Sequence, residues 1–216
     1  EAFDPWSQGL FLKVDNVIMG DGPLELNGSP IKQIEVRHLP GHSPGGIGLV
    51  IGGKGKEKVL ICGDILLYPI TPIPDDLLIY LRTLRELKKM DHISLVLPAH
   101  GMAFRNIKLR VDQLQEHHHR RLRRTYHACS RPRTVWEIAT MKNYFDVYVD
   151  PKKFNLLAGR EALLHLELLQ LAGGLHRSDI EDGVHYFVNS GKPFEKIYGR
   201  IMEMVNSDKI TPIMRY

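Results

Sequence analysis

Ile34-Glu35-Val36-Arg37-His38-Leu39-Pro40-Gly41-His42 is the stretch on which the reading of this chain turns. From 34 to 39 apolar and polar side chains alternate, the period of a strand. Pro40-Gly41 stops that strand, and a histidine stands on the turn. Two further apolar runs follow at 48–51 and 58–62, with the turn Gly52-Gly53-Lys54-Gly55-Lys56 between them. Links this short join antiparallel neighbours, so the three strands are expected to form a meander. Residues 75–90 then read as a helix. Leu77, Leu78, Leu81, Leu84 and Leu87 recur at helical spacing, and Asp75-Asp76 suit its positive N-terminal end. A buried-type strand follows at 93–97. A helical crossover between two strands makes them parallel, so the fourth strand should run alongside the third in the same direction.

That topology has a chemical consequence. His42 leaves the first strand, Asp64 leaves the third in Ile61-Cys62-Gly63-Asp64, and His100 leaves the fourth in Leu97-Pro98-Ala99-His100-Gly101. All three exits are expected at one end of the sheet. Imidazole and carboxylate are donors for a borderline divalent metal such as zinc. A glycine beside each lets the backbone turn sharply.

Outward from this centre, residues 1–34 are mixed, with a turn at Gly20-Asp21-Gly22-Pro23. Residues 106–127 read as one long helix on which Ile107, Val111, Leu114, His118 and Leu122 recur. Arg131-Pro132-Arg133 breaks the chain, which places a boundary near 130 and divides it into domains 1–130 and 131–216. The grammar then changes. A short helix at 134–139 has Thr134 and Glu137 in capping-box spacing. An amphipathic helix at 157–172 carries Leu157, Glu161, Leu164, Leu168 and Leu171 and ends at Gly173-Gly174. Residues 175–178 and 184–188, joined by the polar turn Glu181-Asp182-Gly183, read as a hairpin, and 193–206 as a last helix. Helix, helix, hairpin is the order of a winged helix-turn-helix.

Composition bounds the rest. The 216 residues are 43% hydrophobic and 25% charged, which excludes disordered, collagen-like and coiled-coil classes. No run approaches the roughly 20 apolar residues of a membrane span. Cys62 and Cys129 make no disulfide framework, so a reducing, cytoplasmic location is expected. Glu1-Ala2-Phe3-Asp4-Pro5 is no signal peptide and has no initiator methionine, from which a chain beginning partway through a longer product is expected. The net charge of +4 is uneven: residues 105–124 hold seven Lys or Arg against two acids. Arg120, Arg121, Arg123 and Arg124 close that stripe and are its candidate nucleic-acid or phosphate contacts.

The segments Pro40-Gly41-His42-Ser43-Pro44-Gly45, Gly63-Asp64 and Pro98-Ala99-His100-Gly101 resemble, in order and spacing, the later metal motifs of the metallo-β-lactamase superfamily. The resemblance extends through the basic helix to the winged-helix-like end, and is nearest to the lactamase-β-like-2 type. It implies an α/β fold, the second half of an αββα sandwich, followed by a small winged helix. It also implies zinc-dependent hydrolysis, with two ions in the complete family site. His42 and His100 would serve one ion each, and Asp64 would bridge them. The substrates implied are a phosphodiester such as RNA, or a thioester or other ester. The family's first motif, His-x-His-x-Asp-His, is absent from these 216 residues, and His117-His118-His119 cannot replace it. The site is therefore expected to be incomplete, with weak or absent zinc binding and little activity. Missing strands would leave an apolar sheet face open to association.

The remaining chemistry-bearing residues read more plainly. His38 is expected to pack in the strand or to support a ligand rather than to be one, Ser43 to be a turn residue, Cys62 buried and inert, and His92 a loop residue. His117–His119 is read as a solvated patch. The helix at 157–172, with Arg160, Glu161, His165 and Glu167, is not a basic surface, so a structural or lid role suits it better than DNA reading. The competing function is a non-catalytic module that binds nucleic acid or protein, with the half-sandwich as scaffold.

Overall fold

The computed structural model describes residues 17, 18, 20–28, 30, 31, 33–52, 57–179 and 183–207. The first five residues, most of the turn at 52–56 and Glu181-Asp182 of the hairpin turn lie outside them. No helix among the described residues is long and apolar enough to cross a membrane.

The meander forms as the alternation demands. Strands β1 (Gly22–Pro23), β2 (Ile34–His38), β3 (Ile47–Ile51), β4 (Lys58–Gly63) and β5 (Ile93–Pro98) make one sheet in sequential order. β2, β3 and β4 pair antiparallel, and β4 pairs parallel with β5. The crossover between the last two is α1 (Leu77–Leu87). Asp76 caps this helix by accepting from Ile79 N at 2.9 Å, so the acidic pair precedes the helix and does not form its first turn. The expected turn at 20–23 contributes a two-residue edge strand, with Gly22 opposite Val36.

Cross-strand register gives the sheet two apolar faces. Val50, Leu60, Cys62 and Val96 point toward the helices and are at most 2% exposed. Ile34, Val36, Leu49, Ile51, Val59, Ile61, Leu95 and Leu97 share the opposite face. There Ile34 and Val36 are buried, most of the others are half-buried, and Ile61 is exposed. A sheet that buries both faces carries near-continuous apolar strands, as β3 to β5 do.

The helices form the second layer. α2 (Ile107–Ala128) is capped by Asn106, which accepts from Leu109 N at 3.0 Å. α3 (Val135–Ala139) has the capping box formed by Thr134 and Glu137. α4 (Leu156–Leu171) ends at Gly173, whose φ of 68° a glycine adopts without strain. β6 (Leu175–Asp179) and β7 (His185–Asn189) form the expected hairpin, and α5 (Phe194–Asn206) is the last helix. α5 packs on α1, where Arg82 and Arg85 donate to the carbonyls of Met204 and Val205 at the helix C-terminus. One buried apolar cluster runs from Leu39 to Val205.

Two expectations about faces fail for one reason. The stripe on α4 predicts Leu157 and Leu171 inside, yet they are 60% and 49% exposed. α4 lies among α1, α2, α3 and α5, so most of its middle is buried, with Glu167 left exposed, and its ends emerge. His117–His119 is not a solvated patch. His118 is fully buried, with Nδ1 3.2 Å from His165 Nε2, and His117 is largely buried beside Glu161.

Candidate functional site

The exits of β2, β4 and β5 lie at one end of the sheet, because β4 and β5 are parallel and β2 is two antiparallel steps from β4. His42, Asp64 and His100 stand on the loops that leave them. His42 Nε2 is 3.7 Å from Asp64 Oδ2, and His100 Nε2 is 3.6 Å from Asp64 Oδ1. The three line one cavity of about 370 Å³. Its other walls include Leu67, Ile73, Asp75, Leu157 and Arg160.

The loops are tied together by backbone bonds. Gly41 O accepts from Asp75 N at 2.7 Å and Asp76 N at 3.2 Å, which fastens the His42 loop to the start of α1. Thr83 Oγ1 donates to Pro40 O at 2.7 Å in the same corner. Gly63 O accepts from Ala99 N at 2.9 Å, joining the Asp64 and His100 loops. Two glycines are required here. Gly41 has φ 127°, and a Cβ there would stand 2.5 Å from Tyr80 Cα. Gly101 has φ 86°, and a Cβ would stand 2.2 Å from Tyr68 O. Each loop crosses another backbone too closely for any side chain.

The segment between Asp64 and α1 is held from beneath by Arg110, a residue that sequence reading counted only as part of a charged stripe. Its guanidinium donates to the carbonyls of Leu67 (2.7 Å), Ile70 (2.6 Å) and Pro69 (3.3 Å). Burial lowers its pKa, yet the three carbonyls occupy the cation's donors. Cys62 is inert as expected: it is 2% exposed, and burial pushes its thiol up to about 12. His38 is exposed, with Nε2 3.1 Å from Pro44 O, and Ser43 O accepts the turn bonds from Gly41 and Gly46.

The trio is open. Among the described residues there is no group of three or more His, Cys, Asp or Glu side chains already arranged to hold a metal ion. The donor chemistry nonetheless suits one. Asp64 Oδ1 and His42 Nδ1 are buried and have no hydrogen-bond partner. Other such atoms lie elsewhere in the chain, on Arg37, His117, His118, Arg133 and Ser190, but these two belong to a carboxylate and an imidazole that line a shared cavity. Sequence reading missed the far wall. Arg160 of α4 forms an ion pair with Asp75, and both line the cavity. Nothing in the local pattern around residue 160 could have signalled a partner 85 positions away.

The four arginines of the basic stripe separate. Arg120 and Arg123 are exposed and make long contacts, at 3.5 Å to Glu116 and 4.0 Å to Glu195. Arg124 donates to the carbonyl of Asn143. Arg121 turns inward: only 8% of its side chain is exposed, it pairs with Glu161, and it lies over the rings of Tyr144 and Phe145. A free outward stripe therefore excludes Arg121.

No family model matches this sequence. Among solved structures, a beta-lactamase domain protein from Burkholderia ambifaria is 30% identical, with a TM-score of 0.69. The match covers 81% of this chain and 52% of that one. A metallo-beta-lactamase family protein from Thermus thermophilus is 23% identical, with a TM-score of 0.65, over 80% of this chain and 53% of that one. The chain spans about half the length of these two structures. One neighbour is thus a beta-lactamase domain protein and the other a metallo-beta-lactamase family protein, and the likeness shows a shared fold over the matched part of this chain.

Proposed function

We propose that the chain carries the later part of the metal site of a zinc-dependent hydrolase of the metallo-β-lactamase superfamily, acting on an ester-type electrophile. One observation carries the reading: His42, Asp64 and His100, from three separate loops, meet within 3.7 Å across Asp64, with two of their buried donor atoms unpaired. His42 and His100 would each offer a neutral nitrogen, and Asp64 would offer both oxygens. When bound, the metal supplies Lewis acidity and a nucleophile at neutral pH.

The chain's own residues do the rest. The crossed backbones at Gly41 and Gly101 hold the donors in place before any substrate arrives. Arg160, on the opposite wall, would attract an anionic substrate, such as a phosphodiester or a carboxylate-bearing ester, in exchange for Asp75. Leu67, Ile73 and Leu157 would exclude water from one side of it. In this reading the α3, α4 and hairpin unit is a winged-helix-like element whose work is to supply that wall. The apolar sheet face carrying Leu49, Val59 and Ile61 suits a further layer of chain, where the first metal motif of the family would lie.

Zinc titration of the 216-residue chain tests this. Binding should be weak, because each ion lacks the three protein ligands usual at a catalytic site, and Asp64→Ala should abolish it. Tight, stoichiometric binding of two ions would refute the incomplete site. Binding unchanged by Asp64→Ala would refute the site itself.

A further inference from the structure

A second cavity, of about 690 Å³, lies outside the site just described, between the later turns of α2 and residues 141–146. Arg120, Arg121, Arg123 and Arg124 line it, with His117 at one edge and His127 at another. Four guanidiniums within five residues repel one another unless an anion joins them. Their protein partners do not neutralise them. Arg124 has a neutral carbonyl, and the contacts of Arg120 and Arg123 to Glu116 and Glu195 are long. Arg121 alone of the four is closely paired among the described residues, with Glu161. Asp146 is the single acid among the described residues of the cavity wall. Each arginine has five N–H donors, so most of those at this wall remain for a ligand. The positive field is felt by His117. Burial, then Arg121, lowers its pKa to about 4, although Asp146 pulls the other way.

The shape narrows the ligand. Residues 141–146 pack against the arginine-bearing turns, and Met141, Tyr144 and Asp146 line the cavity beside them. Tyr144 and Phe145 fix the Arg121 guanidinium from behind, at 5.2 and 4.8 Å. The volume falls in the range of small-molecule sites. We propose that this cavity binds the linked phosphates of a small phosphorylated molecule, a di- or triphosphate group gripped by Arg120, Arg123 and Arg124 above the fixed Arg121. The inference is independent of the hydrolase reading, since no residue of the two cavities is shared.

Isothermal titration of the 216-residue chain with inorganic pyrophosphate tests it. Pyrophosphate should bind at least about tenfold more tightly than inorganic phosphate, since each phosphate can take its own guanidinium fork. Arg123→Ala and Arg124→Ala, both at exposed side chains, should each weaken it about tenfold or more, while Lys108→Ala on the same helix should not. Thermal melts of the variants should match the parent, which separates lost binding from lost folding. Absence of binding at about 1 mM pyrophosphate, or an equal loss with Lys108→Ala, would overturn the proposal. Tighter binding of a single-stranded oligonucleotide without terminal phosphates, dependent on the same arginines, would overturn it in favour of a polymer backbone.

Discussion

The histidines at the sheet end and those between the helices are the same residue put to opposite uses. His42 and His100 sit on loops, with 37% and 70% of their side chains exposed, and face a carboxylate across a cavity. His118 and His165 have no exposure and bond one another, with His165 Nδ1 also bonded to Glu161 O at 2.7 Å, while His118 Nε2 stays buried without a hydrogen-bond partner. The first pair is held by its backbone and leaves donors unused. The second is held by the packing of its rings and the one bond between them. Unspent hydrogen-bonding capacity occurs in both regions, so exposure and a shared cavity, rather than residue type, separate a site from a core.

Acid should break this contrast most strongly. Burial lowers the pKa values of His117, His118 and His165, so all three are neutral in the folded chain. The unfolded chain binds their protons first. Stability should therefore be complete above about pH 6.5 and fall as pH drops through the window toward the folded values, about 4 for His117. His117 alone corresponds to roughly 3 kcal/mol across that window. Urea unfolding from about pH 7 down to about pH 4.5 checks the slope. A flat profile would mean that the helical histidines are hydrated.

Removing one partner of the buried ion pair comes next. Glu161→Gln leaves Arg121 buried without its counter-charge and should cost about 3 kcal/mol, read by denaturant unfolding. Zinc affinity should change little, since Glu161 lies on the core side of α4. Asp64→Ala should do the reverse. The weak zinc binding should be lost in the same titration, with stability within about 1 kcal/mol of the parent. If both variants altered stability equally, the distinction between the two regions would collapse. The smallest effect, about 2 kcal/mol of stability, is expected for Gly101→Ala, because its Cβ meets the Tyr68 carbonyl and its φ suits only glycine. Thermal melts would read it.

Much of this architecture was legible because strand and helix periods are local. The alternation at 34–39, the apolar run at 93–97 and the Thr134–Glu137 spacing each name an element without knowing its neighbours. The juxtaposition of three strand exits also followed, from link lengths and crossover rules. Which layer covers each side of an element did not follow. Ile34 and Val36 look like the core face of β2, yet register sets them away from the helices, on the face shared by Leu49 and Ile61. Arg121 belongs to a basic run in sequence and to the interior in space, because α4 brings Glu161 against it.

What the amino-acid order determined by itself is the succession of strands, helices and turns, and hence the end of the sheet from which His42, Asp64 and His100 emerge. Hydrogen-bond geometry and side-chain period act over a few residues, so they can be read along the chain. What only the tertiary structure decided is the fate of each polar side chain. Arg160 meets Asp75, Glu161 meets Arg121 and His165 meets His118 because α4 packs centrally among the other helices. Burial and partner choice are properties of contacts between elements, and those contacts exist only once the elements are assembled.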